Sequence, residues 1–102
     1  MRSKQLLVAG LLALAFICNG CHKPSAENGA LLFRKNCAEC HTDRPDRAKN
    51  APSLTGYFAR EPQPGIEQTR QRILNGGRFM PPFRERLSRS EIDDLIAFLK
   101  NQ

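Results

Sequence analysis

Two cysteines and a histidine stand at a spacing that chemistry can use: Cys37-Ala38-Glu39-Cys40-His41. A Cys-x-x-Cys-His run reads as an attachment site for a c-type haem. Each thiol adds across one of the two vinyl groups on the porphyrin edge, and the two-residue gap matches the separation of those vinyls. Tethering through Cys40 then brings His41 under the iron, where its imidazole serves as an axial ligand. A thioether sulfur is a common ligand on the other side of an electron-transfer haem, and it raises the reduction potential. Met1 apart, the chain offers one methionine, Met80, in the run Gly77-Arg78-Phe79-Met80-Pro81-Pro82-Phe83. A residue before proline is biased to an extended backbone, and two successive prolines stiffen the chain beyond Met80. That is a suitable mount for a weakly bound ligand. Taken alone, Met80 reads first as a gap-filling core residue; the haem motif and its place in the order favour the ligand.

A second run of the same kind lies upstream, Cys18-Asn19-Gly20-Cys21-His22. Two haems are one way to read the pair of runs. A zinc ribbon built on Cys18, Cys21, Cys37 and Cys40 is another. Both require Cys18 to survive in the mature chain, and neither accounts for Met80. Met1 to Gln5 is short and positive, and Leu6 to Ile17 is a nearly unbroken apolar run. This is the layout of a secretory signal, too short to cross a bilayer comfortably. Ile17-Cys18-Asn19-Gly20-Cys21 resembles a bacterial lipobox, whose final cysteine is lipidated after cleavage; Cys18 and Asn19 depart from its usual residues. The expected organisation is a leader over 1–20, cleaved before Cys21, a short linker over 21–25 and one domain over 26–102. His22 then reads as a solvated residue near the new terminus rather than as a ligand.

The elements that must position the motif are marked by periodicity and capping signals. Ser25 or Ala26 to about Cys37 predicts an amphipathic helix with Ser25 as N-cap and Glu27 in the first turn. Ala30, Phe33 and Cys37 share one side, Leu31 and Leu32 widen the stripe, and Arg34 and Lys35 point outward. Thr42 to Ala51 is polar and reads as a surface loop. Tyr57 to Pro64, with two prolines, resists regular structure. Ile66 to Leu74 predicts a second helix with Ile66, Thr69 (or Arg70) and Ile73 on one face, stopped by Asn75-Gly76-Gly77. Ser88-Arg89-Ser90-Glu91 is a capping box ahead of Ile92, Leu95, Ile96, Phe98 and Leu99. Asp93 and Asp94 sit near the positive end of that last helix, Lys100 near its negative end.

The 102 residues suit one domain. Without the leader, the chain is near the size at which a core alone is marginal, so a covalently held apolar macrocycle would supply much of the missing interior. The formal net charge of +6 points to nucleic acid, an anionic surface or an acidic protein. No basic run is interleaved with aromatics, which argues against nucleic acid. Arg34, Lys35, Arg44, Arg47 and Lys49 flank the haem motif and read either as a docking ring or as ordinary solvated charge.

From about Ala26 to Leu99 the chain resembles a small class I cytochrome c. The pieces are the early helix with Gly29 and Phe33, Cys37–His41, Ala51-Pro52-Ser53-Leu54-Thr55-Gly56, Ile73-Leu74-Asn75-Gly76, Met80-Pro81-Pro82-Phe83 and the closing helix. The resemblance implies an all-α cytochrome c fold, three to four short helices wrapped around one covalent haem c. It implies that His41 and Met80 are the axial ligands and that the Pro52 carbonyl holds the second ring nitrogen of His41. It further implies Leu54 packed on the ring and Gly29 packed against Phe98 or Leu95. The implied function is electron carriage between redox proteins outside the bacterial cytoplasm, without enzymatic activity. Membrane attachment would come only through a lipid on Cys21. A haem-based gas sensor or peroxidase-like protein, in which Met80 is displaceable, is the alternative, with a structural zinc module behind it.

Overall fold

A computed structural model describes residues 22–42 and 51–102. The leader with Cys18 and Cys21, and the polar segment carrying Arg44, Arg47 and Lys49, lie outside the described residues. Among the described residues the chain is all-helical, with three α-helices and one short 3-10 turn.

Helix α1 runs Ala26–Asn36 and starts where Ser25 accepts a hydrogen bond from the Asn28 amide. Such a side-chain oxygen satisfies one of the donors that a helix start leaves without a partner. Helix α2 runs Ile66–Asn75 and ends at Gly76, whose φ of 69° is left-handed and open to glycine at no steric cost. Helix α3 runs Arg89–Leu99 and opens on a complete capping box: Ser88 accepts from the Glu91 amide, and Glu91 accepts from the Ser88 amide. The stretch before α2 is more regular than its prolines predict. Gly56, with φ of 64°, turns the chain into a 3-10 turn over Tyr57–Ala59, which ends before Pro62 and so needs no proline amide.

The interior is small. Ile73, Phe83, Leu87, Ile92, Leu95, Ile96 and Leu99 are buried, and Leu32, Phe33, Cys37 and Met80 pack against the cluster. Helix α1 crosses α3 at Gly29, where an added Cβ would collide with the Asp94 carbonyl and lie 2.8 Å from the Phe98 Cβ. Phe98, rather than Leu95, is therefore the close side-chain partner. Its ring lies 5.2 Å from that of Phe33. Helix α2 is tied to α3 by Arg70, which bonds Asp93 and, within its own helix, Glu67.

Two apolar residues predicted to face inward do not. Leu31 is 54% and Ile66 44% exposed. Leu31 lies one residue before Leu32 and two after Gly29, so the stripe facing α3 is narrower than the run of apolar letters. Ile66 is the first residue of α2, where the helix has not yet reached the interior.

Candidate haem-binding site

The last residue capping α1 is Cys37, whose amide donates to the Phe33 carbonyl at 2.8 Å. The chain then folds back on itself, with the amides of Cys40 and His41 donating to the Cys37 carbonyl at 3.2 and 2.9 Å. This tight turn presents Cys37, Cys40 and His41 to one cavity of about 790 Å³. Burial, and then the neighbouring Cys40, push the Cys37 thiol up to about 11, so it stays protonated at neutral pH.

His41 is oriented from behind. Its Nδ1 lies 2.7 Å from the Pro52 carbonyl. A carbonyl can only accept, so Nδ1 carries the proton and Nε2 keeps a lone pair for a metal. This is the bond that the resemblance implies for Pro52, and both residues line the cavity together with Leu54.

Met80 lines the same cavity. Its loop is pinned back onto the end of α2, where helix carbonyls would otherwise lack donors. The Phe83 amide bonds the Ile73 carbonyl at 3.0 Å and the Arg84 amide the Leu74 carbonyl at 3.2 Å. Within the loop, the Gly77 amide bonds the Met80 carbonyl at 2.9 Å. A Cβ on Gly76 would lie 2.8 Å from backbone atoms of Pro81 and Pro82. The glycine lets the prolines close down behind Met80.

Sequence reasoning left several wall residues out of the site. Tyr57, Thr69, Arg72, Phe79, Phe83, Arg86 and Leu99 also line the cavity. Thr69 is buried, and its hydroxyl donates to the Gly65 carbonyl at 2.8 Å. With that proton committed, the Tyr57 hydroxyl donates to Thr69 Oγ1, 3.1 Å away. Phe79 is 63% exposed at the mouth, with the Arg78 guanidinium 5.1 Å from its ring centroid.

His22 behaves unlike His41: it is exposed, as predicted for a residue near the terminus, yet it is not without a partner. Its Nε2 lies 2.7 Å from Asp94 Oδ1. The nitrogen that His41 keeps for a metal is, in His22, spent on a carboxylate. Asp94 is only 2% exposed and also accepts from the Ser25 amide at 2.8 Å and the Asn28 side chain at 2.7 Å. Burial pushes its carboxyl up, but the bonds from Ser25, Asn28 and His22 outweigh it and hold the group below the usual carboxylate range. The sequence placed Asp94 in α3 for its dipole. The structure also has it hold the start of another helix, through Ser25 and Asn28.

A cavity of this size falls within the range of small-molecule sites. Its apolar walls, paired cysteines, metal-ready imidazole and thioether fit a covalently attached haem. Fold and site together define a small haem-holding helical protein. The chain belongs to the class I c-type cytochromes, and its cofactor is one covalently bound haem c. The family described as "Cytochrome C oxidase, cbb3-type, subunit III" matches residues 24–99. A cytochrome c6 of Bumilleriopsis filiformis is 31% identical, over 74% of this chain and 90% of that protein. A cytochrome bc1 complex cytochrome c subunit of Corynebacterium efficiens is 39% identical over 72% of this chain. The chain spans about a quarter of that relative's length, 24%. Among solved structures, cytochrome c6 of the diatom Phaeodactylum tricornutum superposes with a TM-score of 0.57 at 25% identity, covering 74% of this chain and 90% of the other.

Proposed function

We propose that this chain is a monohaem electron carrier, with Cys37 and Cys40 holding the haem and His41 and Met80 as the axial ligands of its iron. One observation carries the reading: the two cysteines, His41 and Met80 line a single cavity, with His41 committed through Nδ1 so that Nε2 is left for a metal. When bound, the haem supplies an iron that gains and loses one electron. The chain supplies the rest. Cys37 and Cys40 fix the ring at the end of α1. Pro52 holds the His41 imidazole and makes it a better donor. The pinned Gly76–Phe83 loop would hold Met80 as a ligand. With His41 and Met80 both as ligands, no position would remain for a substrate, so the reading is a carrier and not an enzyme.

The mouth of the cavity is basic. Lys35, Arg72, Arg78 and Arg86 line it, with Glu39 as the acidic member of the described wall. This favours redox partners with an acidic face, meeting the protein in a brief contact of under roughly 1,200 Å². Arg34 is exposed on α1 but outside that wall. The proposal places the protein outside the bacterial cytoplasm, with cleavage before Cys21 and a lipid on that residue. Among the described residues, no helix is long and apolar enough to cross a membrane.

Met80→Ala tests the ligand set. It is expected to open the reduced protein to carbon monoxide and to lower the potential, because the thioether favours the ferrous state. An unchanged spectrum with an unchanged potential would return Met80 to the core.

A further inference from the structure

Arg60 is exposed and does not line the cavity, yet it makes two ordered contacts. Its Nη2 donates to the Ser53 carbonyl at 2.5 Å. Its guanidinium also lies 5.2 Å from the centroid of the Tyr57 ring. Ser53 directly follows Pro52, whose carbonyl receives the His41 Nδ1–H. The Tyr57 ring is in turn tied through its hydroxyl to Thr69 in α2. A continuous path of contacts therefore runs from α2, through Tyr57 and Arg60, to the peptide directly after the one that orients His41.

We infer that Arg60 is a positioning residue for the redox centre: it clamps the Pro52–Ser53 turn, and through it fixes the plane of the His41 imidazole. The inference rests on the reading of His41 as an axial ligand. Pro52 has no amide hydrogen, so the turn cannot be tied down through that residue's own nitrogen. A charged donor forms a bond roughly twice as strong as a neutral one. Stacking on Tyr57 uses the planar guanidinium, which a lysine does not have. The partners behind a metal-ligating histidine set its ring orientation and its basicity, so a loosened turn is felt at the metal.

Arg60 could instead act only as a positive charge near the cofactor, and the two roles separate cleanly. Arg60→Lys keeps the charge and loses the planar fork and the stack, whereas Arg60→Ala loses everything. The Arg60 side chain is exposed, so neither variant disturbs the interior. The readouts are the hyperfine-shifted haem methyl resonances of the ferric holoprotein, which track the plane of the axial imidazole, and the reduction potential. A positioning role predicts a reordered methyl pattern in Arg60→Ala and in Arg60→Lys, with the larger change in Arg60→Ala. A methyl pattern unchanged in both variants overturns the inference, even if the potential of Arg60→Ala moves. Failure of the underlying assignment shows elsewhere: His41→Gly should lose the low-spin spectrum, and a variant that kept it would remove His41, and with it Arg60, from the centre.

Discussion

Gly29 shows how a single missing atom sets the relation of two helices. A glycine inside a helix costs about 1 kcal/mol relative to alanine, so the sequence itself asks what the residue is for. The answer is the α1–α3 crossing, where the obstacle to a Cβ is mainly the Asp94 carbonyl, a backbone atom that cannot rotate away. Gly29→Ala should therefore destabilise the holoprotein by about 1–3 kcal/mol, the usual cost of overpacking, despite its gain in helix propensity. Denaturant unfolding measures it, and an unchanged midpoint would mean the helices do not meet there. The Cys37–His41 run was legible because attachment chemistry fixes residue type and spacing, whereas the Pro52 contact was legible only through the family resemblance. Arg60 and Tyr57 were not. Their contacts depend on a left-handed Gly56 and on a 3-10 turn that the neighbouring prolines concealed.

Helices in this molecule are capped both by their own residues and by each other. The Ser88–Glu91 box was legible because both partners lie three residues apart, and Ser88→Ala should cost about 1 kcal/mol in thermal unfolding. The start of α1 differs, since Ser25 and Asn28 are served by Asp94, which is 66 residues from Asn28 in sequence. Two adjacent aspartates at a helix start look interchangeable. A rotation of about 100° per residue sends Asp93 to Arg70 and Asp94 into the interface with α1. Asp94→Ala should strand the Ser25 amide and the Asn28 side chain and cost about 2–4 kcal/mol. The Asp94 carboxyl is lower in the folded chain than in the unfolded one. Its stabilisation is thus fully present above the unfolded value, about 3.9, and is lost as pH falls through the folded value. Acid unfolding of the wild type should be steeper in that window than that of Asp94→Asn. Coincident acid profiles would mean the carboxylate is not what holds α1.

At the scale of the whole molecule, the buried interior and the candidate haem cavity share walls, through Ile73, Phe83 and Leu99. Among the described residues the fully buried apolar side chains number few, Ile92 and Leu95 being the largest, and other apolar residues, such as Leu54, Phe79 and Met80, line the candidate haem cavity. The order of motifs along the chain made the fold legible. The widths of the buried stripes did not, and Leu31 and Ile66 lie outside them because each helix meets the interior along a short arc. Replacing both Cys37 and Cys40 by Ser should leave a chain that lacks a cooperative unfolding transition in calorimetry, since the protein alone is near the lower limit for a core. The basic mouth should make electron-transfer rates with an acidic partner fall steeply as salt rises, and a salt-independent rate in stopped-flow would contradict that docking mode. The most direct test of a single haem held by Cys37 and Cys40 is intact mass under denaturing conditions, after acid–acetone extraction, of protein matured in an exporting bacterial host. The expected result is a chain that begins at or near Cys21 and retains one haem; haem lost to the acetone, or a second haem on a retained Cys18, would contradict it.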